Sequence, residues 1–113
     1  MRTIPIPVDV SKLHITCAKA ARPRLVSKET GEIKRDRDGN TMYEVTLLIE
    51  DSNGRMELVK VSVTPEPPIS PGEEVVPVGM VGYVWEQGDR WGISYRAQSF
   101  LPATAAYGAG ADR

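Results

Sequence analysis

The sequence predicts an all-β fold, a small barrel built from five principal strands. Three observations carry this reading. Glycine and proline supply 10 and 9 of the 113 residues, and they fall between runs rich in Val, Ile and Tyr. Within those runs apolar residues recur at every second position, the period of a strand with one buried face. Residues 64–72, TPEPPISPG, hold four prolines, which rules out a regular helix between the middle and last strands.

The elements follow in order. Residues 4–8 alternate, yet Pro5 and Pro7 confine them to a sheet edge or an extended lead-in. Residues 13–20 form the first strand, with Leu13, Ile15 and Cys17 on one face; residues 22–26 continue it past a bend. The polar stretch 27–41, SKETGEIKRDRDGNT, carries turn signals at Thr30-Gly31 and Asp38-Gly39-Asn40, so it is a long loop or a small projecting hairpin. Residues 43–50 are the second strand, with Tyr43, Val45, Leu47 and Ile49 in phase. Asp51-Ser52-Asn53-Gly54 turns the chain into the third strand, residues 57–63, where Val59, Val61 and Val63 share a face. After the proline segment a last hairpin runs through residues 73–86, turns at Gln87-Gly88-Asp89, and returns through residues 90–100. Val81, Tyr83 and Trp85 share one face, as do Trp91, Ile93 and Tyr95. One of these stripes is expected in the core, which would bury one tryptophan and leave the other partly exposed.

Five short strands need closure to remove their edges, and the partly open five-stranded Greek-key barrel called the OB-fold has this order. The expected architecture is therefore an OB-like barrel over residues 1–102, with the proline-rich crossover in place of the usual helix. An SH3-like barrel is the structural rival. Residues 103–113, small and rich in Gly and Ala, read as a flexible tail.

Composition narrows the function. The apolar fraction of 41% and charged fraction of 26% fit one soluble globular domain. The formal charge of −1 argues against attachment to nucleic acid by bulk charge alone. No long apolar run and no signal-peptide pattern occurs, so a cytoplasmic protein is the expectation. The single cysteine, Cys17, reads as a small buried hydrophobe. His14 is the one histidine, and strand parity points it and Cys17 to opposite faces, so no metal pair forms there. No phosphate loop, serine elbow or paired carboxylates appear, and the reading is a non-enzyme without cofactor or metal.

Two runs carry a family resemblance. Pro71-Gly72-Glu73-Glu74-Val75-Val76-Pro77-Val78-Gly79-Met80-Val81 resembles the fourth strand of OB-fold single-stranded DNA-binding proteins, and GDRWGISYRAQSF is similar to the fifth strand that pairs with it. Over residues 1 to about 102 the chain also resembles small proteins encoded on actinobacterial plasmids and integrative conjugative elements. That second likeness rests on RLVSKETGEIKRDRDGNTMYEVTLLI and on GISYRA. The resemblance implies single-stranded DNA binding with little sequence preference, in support of replication or transfer of a mobile element. A homodimer is expected, because a small barrel gains groove length by pairing.

OB-folds bind across their second and third strands, flanked by the loops joining strands one to two and four to five. Residues 22–41 hold six cations against four carboxylates, a local +2 that leaves −3 for the rest of a chain of net −1. Arg22, Arg24, Lys34, Arg35 and Arg37 are thus candidate phosphate contacts, with Lys28 in the same stretch. Trp85, Trp91 and Tyr95 are candidate base-stacking rings, while Lys60, Arg90 and Arg96 would line the groove. Tyr43 serves either the core or the platform. The alternative is a protein-binding adaptor or regulatory β-barrel, for which near-neutral charge and exposed aromatics are natural.

Overall fold

The computed structural model describes residues 4–27 and 29–103, and they build an all-β structure. Chain order runs β1 (Ile6–Pro7), a 3-10 turn (Val10–Lys12), β2 (His14–Pro23), β3 (Leu25–Ser27) and β4 (Glu32–Ile33). There follow β5 (Tyr43–Glu50), β6 (Met56–Val63), β7 (Val75–Val78), β8 (Val81–Gln87), β9 (Arg90–Ala97) and β10 (Ser99–Pro102). Six strands form one curled sheet in the order β1-β8-β9-β6-β5-β2, while β7–β10 and β3–β4 are separate two-stranded pairs. The β6–β9 pair is parallel and every other ladder is antiparallel.

Alternation places the core. On β5, Val45 and Leu47 have no exposed surface, and their partners on β6, Val61 and Val59, lie on the same face. Ile15 and Cys17 of β2, Val63 of β6 and Ala97 of β9 extend that face, and Ile69, Val75, Met80 and Phe100 close over it. Each large apolar side chain buried this way contributes roughly 1.5–3 kcal/mol. Tyr43 lies half-buried against the cluster, so it serves the core. Residues 64–74 carry no helix and reach back to β2: Cys17 N–H donates to the Glu73 carbonyl (2.9 Å), and Gly72 N–H donates to the Cys17 carbonyl (2.8 Å). His14 sits at the same junction, 3.1 Å from Glu74 and 3.9 Å from Glu50.

Several expectations are refined. The first strand runs on to Pro23, with register shifts between Cys17 and Lys19 and between Lys19 and Arg22, and these bulges supply the bend. The polar stretch closes the hairpin β3–β4, which begins upstream at Leu25, then makes a second turn in which Asp36 Oδ1 accepts from the N–H groups of Asp38 and Asn40 (both 2.9 Å). The long strand expected over residues 73–86 is interrupted. Gly79 takes φ +64°, Met80 turns inward to 4% exposure, and β7 and β8 go to different partners. The return strand breaks in step at Gln98, whose N–H bonds the Val78 carbonyl (2.8 Å).

The tryptophan expectation is overturned. Trp85 is 38% exposed and Trp91 is 68% exposed, so neither fills the core. The cause is reach: β9 pairs with β6 only through Tyr95, Arg96 and Ala97, and the rest of the β8–β9 hairpin extends past the core. Ala103 is buried, its N–H bonded to the Glu74 carbonyl (3.0 Å), and the remainder of the expected tail, like Lys28, lies outside the described residues. Among the described residues no helix is long and apolar enough to cross a membrane.

Candidate functional site

Strand register sorts the candidate side chains onto two faces. On β9, Arg90, Gly92, Ser94 and Arg96 point one way; across β8 their partners are Gln87, Trp85, Tyr83 and Val81. Arg96 also pairs with Ser62 of β6, and Lys60 lies two residues before Ser62 on the same face. This is the face turned away from Val61 and Val63, hence the outer face of the sheet. Trp91 and Tyr95 belong to the other side, where Tyr95 packs against the core and Trp91 stands clear. The three expected stacking rings are therefore not one platform.

The outer face gathers cations. The chain leaves β2 at Pro23 and crosses so that Arg24 Nη1 donates to Ser62 Oγ (2.5 Å), a contact spanning 38 residues of sequence. Ser62 is the one buried polar side chain among the described residues, at 6% exposure, and the arginine satisfies it. Backbone bonds bring Lys34 alongside: its N–H donates to the Arg24 carbonyl (2.7 Å), and its carbonyl accepts from Met42 N–H (2.9 Å). Repulsion from the Arg24 guanidinium, then burial, then repulsion from Arg96 hold the Lys34 pKa below the ordinary lysine value. Lys34 is thus close enough to both Arg24 and Arg96 for each to disfavour its charge. Among the described residues, none of the ion pairs involves Arg24, Lys34 or Arg96.

Clefts open on both sides of this cluster. One, of about 660 Å³, is lined by Arg22, Arg24, Ile33, Glu44 and Lys60 among others. Arg22 lies 3.9 Å from Glu44, an exposed pair that adds little stability. The second, of about 360 Å³, is lined by Asp36, Met42, Tyr83, Arg96 and Gln98 among others. Here the Arg96 guanidinium sits over the Tyr83 ring, 5.7 Å from its centre. Asp36 is held below the ordinary carboxylate range, chiefly by the Asn40 N–H, so it stays ionised and serves its own turn. Two residues beyond Tyr83, the Trp85 indole lies over Gly92; a Cβ at Gly92 would come within 2.6 Å of that ring.

The remaining candidates spread outward. Arg90 continues the outer face to the hairpin tip, where Gly88 turns with φ +62°. Arg35 is occupied with its own loop, its Nη1 donating to the Gly39 carbonyl (3.3 Å) and to Thr41 Oγ1 (3.2 Å). Arg37 is exposed in the adjoining turn. Sequence reasoning missed Tyr83 and Ser62. The available signal for Tyr83 was its place in phase with Trp85, opposite the small residue Ser94. Among the described residues no group of three or more His, Cys, Asp or Glu is placed to hold a metal ion.

The surface therefore offers a positive cluster beside one exposed ring, Trp85, and one half-buried ring, Tyr83, suited to a polyanion with flat apolar parts. Comparisons with family models, with curated proteins and with solved structures find no match to this chain.

Proposed function

We propose that this protein is an OB-like, non-enzymatic module that binds single-stranded DNA with little sequence preference, in the service of replication or transfer of a mobile element. The observation that carries the reading is the convergence of Arg24, Lys34 and Arg96 around Ser62, beside Tyr83 and Trp85. Phosphates neutralise the first set and bases stack on the second. The position of the cluster supports the OB-like reading. It lies across β6, between the 24–42 segment and the β8–β9 hairpin, where that fold uses its third strand and two flanking loops. The parallel β6–β9 pair and the return of residues 72–74 to β2 also support this reading. Trp85 and Tyr83 replace Trp91 and Tyr95 as the proposed platform, since the latter pair faces the other way.

Tryptophan fluorescence during titration with oligo-dT, at low and moderate salt, tests the proposal. Saturable quenching that weakens with salt and is lost in Trp85→Phe, with Trp91→Phe retaining it, is the expected result. A flat trace with no binding by sedimentation sinks it. Salt-insensitive capture of a protein in place of DNA would move the assignment to an adaptor barrel.

A further inference from the structure

The outer edge of β8 is mostly uncovered. β1 pairs only with Val81 and Gly82, and among the described residues no strand pairs with Tyr83–Gln87 on that side. Val8 N–H donates to the Met80 carbonyl (3.0 Å), and Ile6 faces Gly82 in the same register. Peptide groups two residues apart point the same way, so the N–H and C=O of Val84 and of Glu86 project from the free edge. An unpaired edge of this kind is a template for another strand. Beside it, on the face opposite the cation cluster, stand Ile6 (50% exposed), Val84 (38%), Ile93 (42%) and Trp91 (68%), aligned by the pairs Ile6–Gly82, Val84–Ile93 and Glu86–Trp91.

We infer that this edge is a homodimer interface, in which β8 pairs antiparallel with β8 of a second copy about a two-fold axis at Trp85. The unpaired window is symmetric about Trp85, which suits a second copy of the same strand, and its groups fix the register. Centred on Trp85, Val84 faces the partner's Glu86 and Glu86 faces the partner's Val84, so all four free groups of each copy are bonded. Centring on Glu86 would set two carboxylates directly opposite one another, and centring on Val84 would oppose Glu86 to Gly82, whose groups already serve Ile6. Glu86 is the one charged residue of the five, and only the Trp85 register avoids both conflicts. The Trp85 ring leans back over Gly92, which leaves the edge clear. Two-fold pairing brings the Val84, Ile93 and Trp91 patches of the copies beside each other. It also joins the two outer faces into one continuous surface.

Sedimentation equilibrium without nucleic acid tests this independently of the DNA-binding reading. Wild type is expected to be a dimer. Val84→Pro removes an N–H that faces only the free edge and should weaken association on the order of tenfold to a hundredfold, one donor being lost from each copy. Circular dichroism confirms that the variant is folded. Register is read by disulfide formation: paired positions in a non-hydrogen-bonded site lie about 4.5 Å apart at Cα, within disulfide range. Trp85→Cys should therefore yield a covalent dimer on oxidation, whereas Tyr83→Cys, facing the partner's Gln87, should not. Cys17 is 1% exposed and stays out of the reaction. A monomeric wild type overturns the inference, as does a dimer in which Trp85→Cys fails to cross-link.

Discussion

At Lys34 the electrostatics run against the free protein. A lysine beside a carboxylate has its pKa raised, but here Arg24, burial and Arg96 together lower it. The sign for stability follows. The unfolded chain holds the Lys34 proton more tightly than the folded one, so this group penalises folding while charged. The penalty fades as pH rises through the lowered folded pKa. An anion seated among the three cations reverses the effect, because it favours the ammonium form. Binding is then coupled to proton uptake. Oligonucleotide affinity is expected to fall as pH climbs from neutrality toward the lysine range, and Lys34→Met should bind more weakly yet lose most of that slope. Anisotropy titrations over this range check it; identical slopes in the two proteins would show that Lys34 does not meet phosphate.

The β8–β9 hairpin shows what one element contributes. Its register puts a ring over a glycine: Trp85 pairs with Gly92, and the indole occupies the space a side chain would take. Gly92→Ala would bring Cβ within 2.6 Å of ring carbon, so the ring has to leave. Because the hairpin projects from the core, the fold should survive with a loss of about 1 kcal/mol or less. Oligo-dT affinity should drop on the order of tenfold, the value of one stacked base. Thermal melts and fluorescence separate the two effects. This element also shows what sequence can and cannot reveal. Residues 43–50 were legible because one buried face imposes strict alternation, with Val45 and Leu47 fully enclosed. The two tryptophans were not, because parity separates faces without saying how far a hairpin outruns the core. Nor does alternation show a break, and Gly79 at φ +64° ended β7 inside an unbroken apolar run. The cation cluster was half legible: its members stood out by charge, but their meeting at Ser62 depends on a fold contact 38 residues long.

For the whole molecule, net charge and local charge point in different directions, and salt dependence tells them apart. A chain of net −1 has no long-range pull on a polyanion. Any affinity for single-stranded DNA must arise where cations are concentrated, on the outer face that carries Arg22, Arg24, Lys34, Lys60, Arg90 and Arg96. If all six meet phosphate, the logarithm of affinity should fall with the logarithm of salt at a slope of about −4, from roughly 0.7 ions released per contact on a single strand. Arg96→Ala should flatten that slope by about 0.7, alike for every base composition, since a phosphate contact carries no sequence information. Lys12 provides the control. It lines a separate cleft with His14 and Glu50, so Lys12→Ala should leave the slope unchanged even though it alters net charge by the same amount. Equal changes in the two variants would mean that the protein responds to total charge, and the outer face would lose its claim as the binding surface.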